Sequence, residues 1–156
     1  MDPHKRAALV ARYKEGYNAV AAALAGATDA ELDAIPAPGK WSSRQIVHHL
    51  ADSEMTSAIR LRQLVAEDRA AIRAYDQDLY ARKLFYDRPL EASLLAFRAA
   101  RISTSEILDR MSEADWAKGG THPEHASYSL GRWLEIYADH AHKHAEQITR
   151  ARASAK

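Results

Sequence analysis

The chain contains no cysteine, which excludes disulfides, thiolate metal ligands and a cysteine nucleophile, so a metal site would have to be built from nitrogen and oxygen. Charge of one sign is missing too: 22 basic residues stand against 21 acidic ones, a net of +1 with histidine neutral. A nucleic-acid or anionic-membrane binder carries a strong positive balance, so partners are expected to be small molecules or proteins. No apolar run approaches the roughly 20 residues of a membrane-spanning helix. The N-terminal MDPHKRAALVARYKEG alternates charged and apolar residues where a signal peptide has a continuous apolar core. A cytoplasmic protein is expected, with neither nucleic acid nor membrane as partner. At 156 residues the chain suits one sizeable core and is short for two, so residues 1–156 read as a single domain without internal repeats.

What is present is helical periodicity, clearest from Ser129 to Ala153. Rotating each residue by about 100° gathers Leu130, Trp133, Tyr137, Ala141, Ile148 and Ala151 on one stripe, with Glu135, Asp139, His142 and Glu146 opposite. His140 and His144 fall in the middle of the apolar stripe. Burying two imidazoles without partners costs roughly 1–3 kcal/mol for each unsatisfied group. Spaced i and i+4, they share a face and a target, and a metal ion is the simplest occupant of the space between them. A polar, solvated helix face is the bland alternative, but it would set both histidines opposite Trp133 and Tyr137.

Three further helices precede this one. Asp2-Pro3 opens the first, which carries Leu9, Val10, Tyr13, Tyr17, Val20 and Leu24 at helical spacing and runs to about Ala25. A short helical turn is expected near Thr28 to Leu32, and Ile35 to Lys40, with two prolines and a glycine, is a connector. Ser42 and Gln45 form a capping-box pair that starts the second long helix, whose apolar positions are Ile46, Leu50, Ala58, Leu61, Leu64 and Val65. Residues 67 to 88 read as a crossover with one or two short helical pieces. Pro89 suits the first turn of a third long helix that ends near Met111. Residues 113 to 128, with Gly119-Gly120 and HPEH, read as an irregular connection. Four long helices with few strand signals predict an all-α four-helix bundle, and the two long connections predict a topology other than plain up-and-down.

On the second helix His49 lies at the margin of the apolar stripe, while His48 points nearly the other way. Asp52 and Ser53 follow His49 by one turn, and Glu54 falls on the apolar side as a candidate buried carboxylate. His49 with His140 and His144 would give three imidazoles from two helices and a site with an open face, as catalytic rather than closed structural sites have. Zinc, nickel or iron could accept such ligands. His48, His122, His125 and His142 remain alternatives, His122 and His125 as residues of a solvated loop or of an entrance.

WSSRQIVHHLADSEM (41 to 55), IRLR (59 to 62), AYDQD (74 to 78), HPEH (122 to 125) and YADHAHKHAEQI (137 to 148) together resemble the DinB-like superfamily, most closely its YfiT-like branch of inferred metal-dependent hydrolases. The resemblance spans about residues 30 to 150. It implies a four-helix bundle whose metal is held by one histidine of the second helix and an HxxxH pair of the last, roles that fall on His49, His140 and His144. Some superfamily members resemble transferases that use bacillithiol, mycothiol or glutathione. Branch members often carry proline before the crossover tyrosine, where this chain has Ala74.

The expected function is that of a metal-dependent enzyme in which a thiol cofactor or a water, activated by the ion, attacks a small electrophilic substrate. Asp52 or Glu54 would take the proton or orient a ligand histidine; each could equally make an ordinary ion pair. Arg60 and Arg62 would bind a cofactor carboxylate or cap the exterior of the bundle. The rival class is a non-catalytic metal-stabilised bundle, a sensor or a homodimeric interaction module.

Overall fold

The computed structural model describes residues 1–155, and side chains for all of them except His125 and Ala126. Four long helices dominate: α1 (Pro3–Leu24), α3 (Ser43–Ala66), α5 (Glu91–Leu108) and α7 (Leu130–Ala153). Short helices α2 (Asp29–Asp33), α4 (Gln77–Lys83) and α6 (Glu113–Trp116) lie in the connections, with strands β1 (Ala70–Ala71), β2 (Gly119–His122) and β3 (His125–Ser129). Among the described residues no helix is long and apolar enough to cross a membrane.

The helix starts follow their side chains. Asp2 caps α1 by accepting from the Lys5 amide at 3.0 Å, with proline just inside. Thr28 with Glu31, and Ser42 with Gln45, form complete capping boxes on α2 and α3. Ser129 caps α7 through the Arg132 amide. Asp76 of the AYDQD motif caps α4, accepting from Leu79 at 2.9 Å. Pro89 lies outside the third long helix, which begins at Glu91 with Leu90 as an N-cap that makes no side-chain bond.

The connection after α5 is more ordered than its composition suggests. β2 and β3 form an antiparallel hairpin, and β1 from the crossover adds in parallel, Ala70 opposite Gly120 and Ala71 opposite Thr121. Gly120 makes this pairing possible: a Cβ there would lie 2.3 Å from the Ala70 carbonyl oxygen. The small sheet ties both long connections to one end of the bundle.

The core divides in two. One apolar cluster gathers Tyr13, Leu61, Leu64, Trp133 and Tyr137, and the other Val20, Ile46, Leu50, Phe97 and Ile148. Each long helix contributes to both. Polar groups fill the layer between them: Glu54 on α3, Arg101 and Thr104 on α5, and the last-helix histidines. Gly16 occupies the corresponding level of α1, where a Cβ would sit 2.1 Å from an Arg101 nitrogen, so glycine gives the guanidinium its space.

Candidate metal centre

His49 enters the polar layer two turns into α3, and His140 and His144 enter it from α7. Their Nε2 atoms converge: His140 Nε2 lies 3.3 Å from that of His49 and 3.2 Å from that of His144. One ligand atom from each lies within 4.8 Å of the others. A tetrahedral ion with Zn–N bonds of about 2.0–2.1 Å requires nitrogens about 3.3–3.4 Å apart, so the two short separations fit such an ion with little movement. Trp41 packs on the His49 ring at 4.9 Å and the edge of Tyr137 meets His140 at 5.9 Å, which limits the rotation of both rings.

The electrostatics favour neutral imidazoles. Burial lowers the pKa of all three, and the neighbouring His144 adds to the effect on His49, which is pushed down to about 3. His140 is also depressed by His144, His49 and Arg101. Lone pairs are therefore available at neutral pH. His144 Nδ1 donates to Gln147 Oε1 at 2.8 Å, which places the proton on Nδ1 and leaves Nε2 as a base. Nδ1 of His49 and of His140 are buried without a hydrogen-bond partner among the described residues. Three inward-facing bases with no acid among them make a donor set that suits a cation.

The remaining histidines are engaged elsewhere. His48 departs from the single-stripe reading: it is fully buried, bonded through Nδ1 to Ser93 Oγ at 2.8 Å and through Nε2 to the Arg88 carbonyl at 3.0 Å. α3 is covered on several sides, so its stretch from Ile46 to Ala51 is buried throughout and a one-faced wheel misplaces residues there. His142 turns to the opposite side of α7 and donates to the Arg12 carbonyl at 2.9 Å. His122 belongs to β2 rather than to a solvated loop; it is buried, stacks on Tyr128 at 5.2 Å and accepts from the Glu124 amide. The side chain of His125 lies outside the described residues.

Of the other candidates, Asp52 is half-buried and accepts from the Tyr86 hydroxyl at 2.7 Å. Glu54 is buried in an ion pair with Arg101 at 2.8 Å and accepts from the Tyr13 hydroxyl. Arg60 is buried, donating to the Tyr137 hydroxyl at 3.0 Å and to the Arg73 carbonyl at 2.6 Å. Arg62 clasps α3 to α5 through Ser103 and Thr104. The three histidines thus meet at one point, while these four side chains are held by partners of their own. Gln147 escaped the sequence reading although it stands one turn beyond His144 on the same helix. Trp41 was visible only as the first residue of a motif.

His144 and Gln147 open onto a cleft of about 660 Å³ walled by Trp41, Ile46 and Pro36. A helical bundle that presents one buried and two half-buried imidazoles, all neutral, beside such a cleft defines a candidate metal-binding bundle. The chain belongs to the DinB superfamily, whose family model matches residues 12–148.

Three similar proteins are named as metal-dependent hydrolases by inference. One, from Oceanobacillus iheyensis, is 36% identical over 119 residues, covering 76% of this chain and 69% of that protein. Another, from Geobacillus thermodenitrificans, is 30% identical over 142 residues, covering 89% and 79%. YfiT from Bacillus subtilis is 32% identical over 124 residues, covering 78% and 70%. The solved structure of YfiT is described as an unusual four-helix bundle topology. It superposes with a TM-score of 0.88 at 27% identity over 96% of this chain and 86% of that one.

Proposed function

We propose that the chain is a metal-dependent enzyme in which His49, His140 and His144 hold one divalent ion, zinc or nickel, and a thiol cofactor or a water attacks a small substrate. The carrying observation is the convergence of the three Nε2 atoms beside an open cleft. When bound, the ion supplies two positive charges against three neutral ligands, which lowers the pKa of a thiol or water toward neutrality. His144 borders the cleft, so a nucleophile would enter from that side. Trp41 and Ile46 form an apolar wall of the cleft on that side.

Asp52 is the preferred proton acceptor of the two carboxylates, because Glu54 is already committed to Arg101 and Tyr13. The Tyr86 hydroxyl, whose own pKa is raised by burial and by Asp52, stays protonated and fixes the carboxylate by donating to it. Arg60 supports the Tyr137 hydroxyl and so steadies the ring beside His140. Arg62 is assigned to holding α3 against α5.

Cobalt substitution tests this reading. A low-molecular-weight thiol added to the cobalt protein is expected to introduce a sulfur-to-metal charge-transfer band that His144→Ala abolishes, or, for the hydrolytic case, small anions are expected to perturb the visible spectrum competitively with substrate. A spectrum indifferent to every thiol and anion would assign the ion to a closed structural role.

A further inference from the structure

The cleft beside His144 has a chemical polarity of its own. One wall is apolar, formed by Pro36, Trp41 and Ile46. Its charged lining consists of Lys40, Arg150 and Asp78, two cations against one carboxylate. The Lys40 side chain has no ion pair among the described residues. Arg150 has one, to Glu146 at 3.8 Å, an i,i+4 pair with both side chains more than 60% exposed. Such a pair contributes at most a few tenths of a kcal/mol, so the guanidinium is free to turn to a better acceptor.

The two cations sit at a defined place relative to the histidines. Arg150 follows His144 by six residues on α7, an axial rise of about 9 Å. Lys40 precedes Trp41 and the α3 cap and lines the same cleft. Gln147 lies between His144 and Arg150 in sequence; its Oε1 is used by His144, which leaves its amide NH₂ as a donor at the cleft. An apolar body against Trp41 and Ile46, ending in an acid group that Lys40 and Arg150 can reach, matches the apolar wall and both cations.

Resting on the function proposed above, we infer that this cleft selects an amphiphilic monoanion, a small molecule with an aromatic or aliphatic body and a terminal carboxylate held by Lys40 and Arg150. The part of the ligand nearest His144 is then the reacting part. Asp78 disfavours a second negative charge on the body. A neutral molecule of the same shape lacks the anchor and binds more weakly.

The test uses 6-phenylhexanoate and its primary amide, which differ in charge but hardly in shape. Each is titrated calorimetrically into the full chain, both stripped by a chelator and loaded with zinc. The stripped form removes the ion as a rival partner for the carboxylate. The acid is expected to bind about tenfold more tightly than the amide in the stripped protein, the size of one charge-assisted hydrogen bond. Lys40→Met and Arg150→Met, both at exposed positions, are expected to weaken the acid several-fold and leave the amide unchanged, and the double variant to remove the preference.

Equal binding of acid and amide, no binding of either, or a preference that survives in the double variant would overturn the inference. Zinc uptake measured on the same samples separates the two claims. Zinc bound by the three histidines without acid preference removes only the ligand class, whereas acid preference without zinc uptake removes the metal reading and leaves the anion site standing.

Discussion

Two polar clusters share the middle layer of the bundle, one fully buried and one half-buried, and they are built on opposite principles. Glu54, Arg101 and Tyr13 form a closed set: the carboxylate meets the guanidinium and the phenol, and Arg101 also donates to the carbonyls of Tyr13 and Tyr137. His49, His140 and His144 form an open set, three bases aimed at one another, with two Nδ1 atoms lacking partners among the described residues. A satisfied cluster is complete as structure. In the open one three Nε2 lone pairs face one another, and a cation at their meeting point relieves that repulsion.

The largest effect that could break this contrast lies in the closed set. Arg101→Met leaves the buried Glu54 carboxylate without its cation and is expected to cost about 3–5 kcal/mol in urea denaturation, with or without added zinc. Arg101→Met combined with Glu54→Leu should recover most of that loss, since a well-packed apolar pair can replace a buried ion pair. No apolar replacement of the histidines should restore metal uptake.

Acid distinguishes the clusters next. Burial holds the three histidines neutral in the folded chain, whereas in the unfolded chain they titrate near their ordinary value of about 6.5. Above that pH neither state takes up the proton and nothing is lost. Below it the unfolded chain binds protons that the folded chain refuses. The metal-free protein should then lose up to about 1.4 kcal/mol per pH unit for each such histidine, a slope that for His49 ends at its folded value of about 3. Denaturation at successive pH values should show this slope flattened in His140→Leu; an unchanged slope would mean that the histidines are not the groups responsible.

A finer test concerns Gln147. Gln147→Leu removes the acceptor that fixes the His144 tautomer and is expected to weaken zinc affinity about tenfold, the lower end for residues that orient a ligand histidine. Gln147→Glu, which keeps an acceptor, should retain or strengthen binding. Equal losses in both variants would show that the side chain acts by packing alone.

The open cluster was more legible in the sequence than the closed one. α7 packs through one face only, so the stripe from Leu130 to Ala151 gave its phase and set His140 and His144 inward and His142 outward, as the structure has them. The Ser42–Gln45 capping box likewise marked the start of α3. On α3 periodicity failed where cover comes from several sides, and His48 was misplaced for that reason. The partnership of Glu54 with Tyr13 and Arg101 spans 41 and 47 residues of chain, and no local pattern encodes it. The small sheet escaped because β1 has two residues and β2 contains two glycines, too little for an alternation to show.

The central claim is that the open set exists to hold a metal ion, and metal stoichiometry tests it most directly. Protein made without an affinity tag, stripped and then dialysed against cobalt or zinc, should retain about one ion per chain by elemental analysis. His49→Ala, His140→Ala and His144→Ala should each abolish retention while His142→Ala keeps it, because only the first three direct nitrogen atoms to the common point. No retained ion in the unaltered chain, or equal losses from His142→Ala and His144→Ala, would contradict the account.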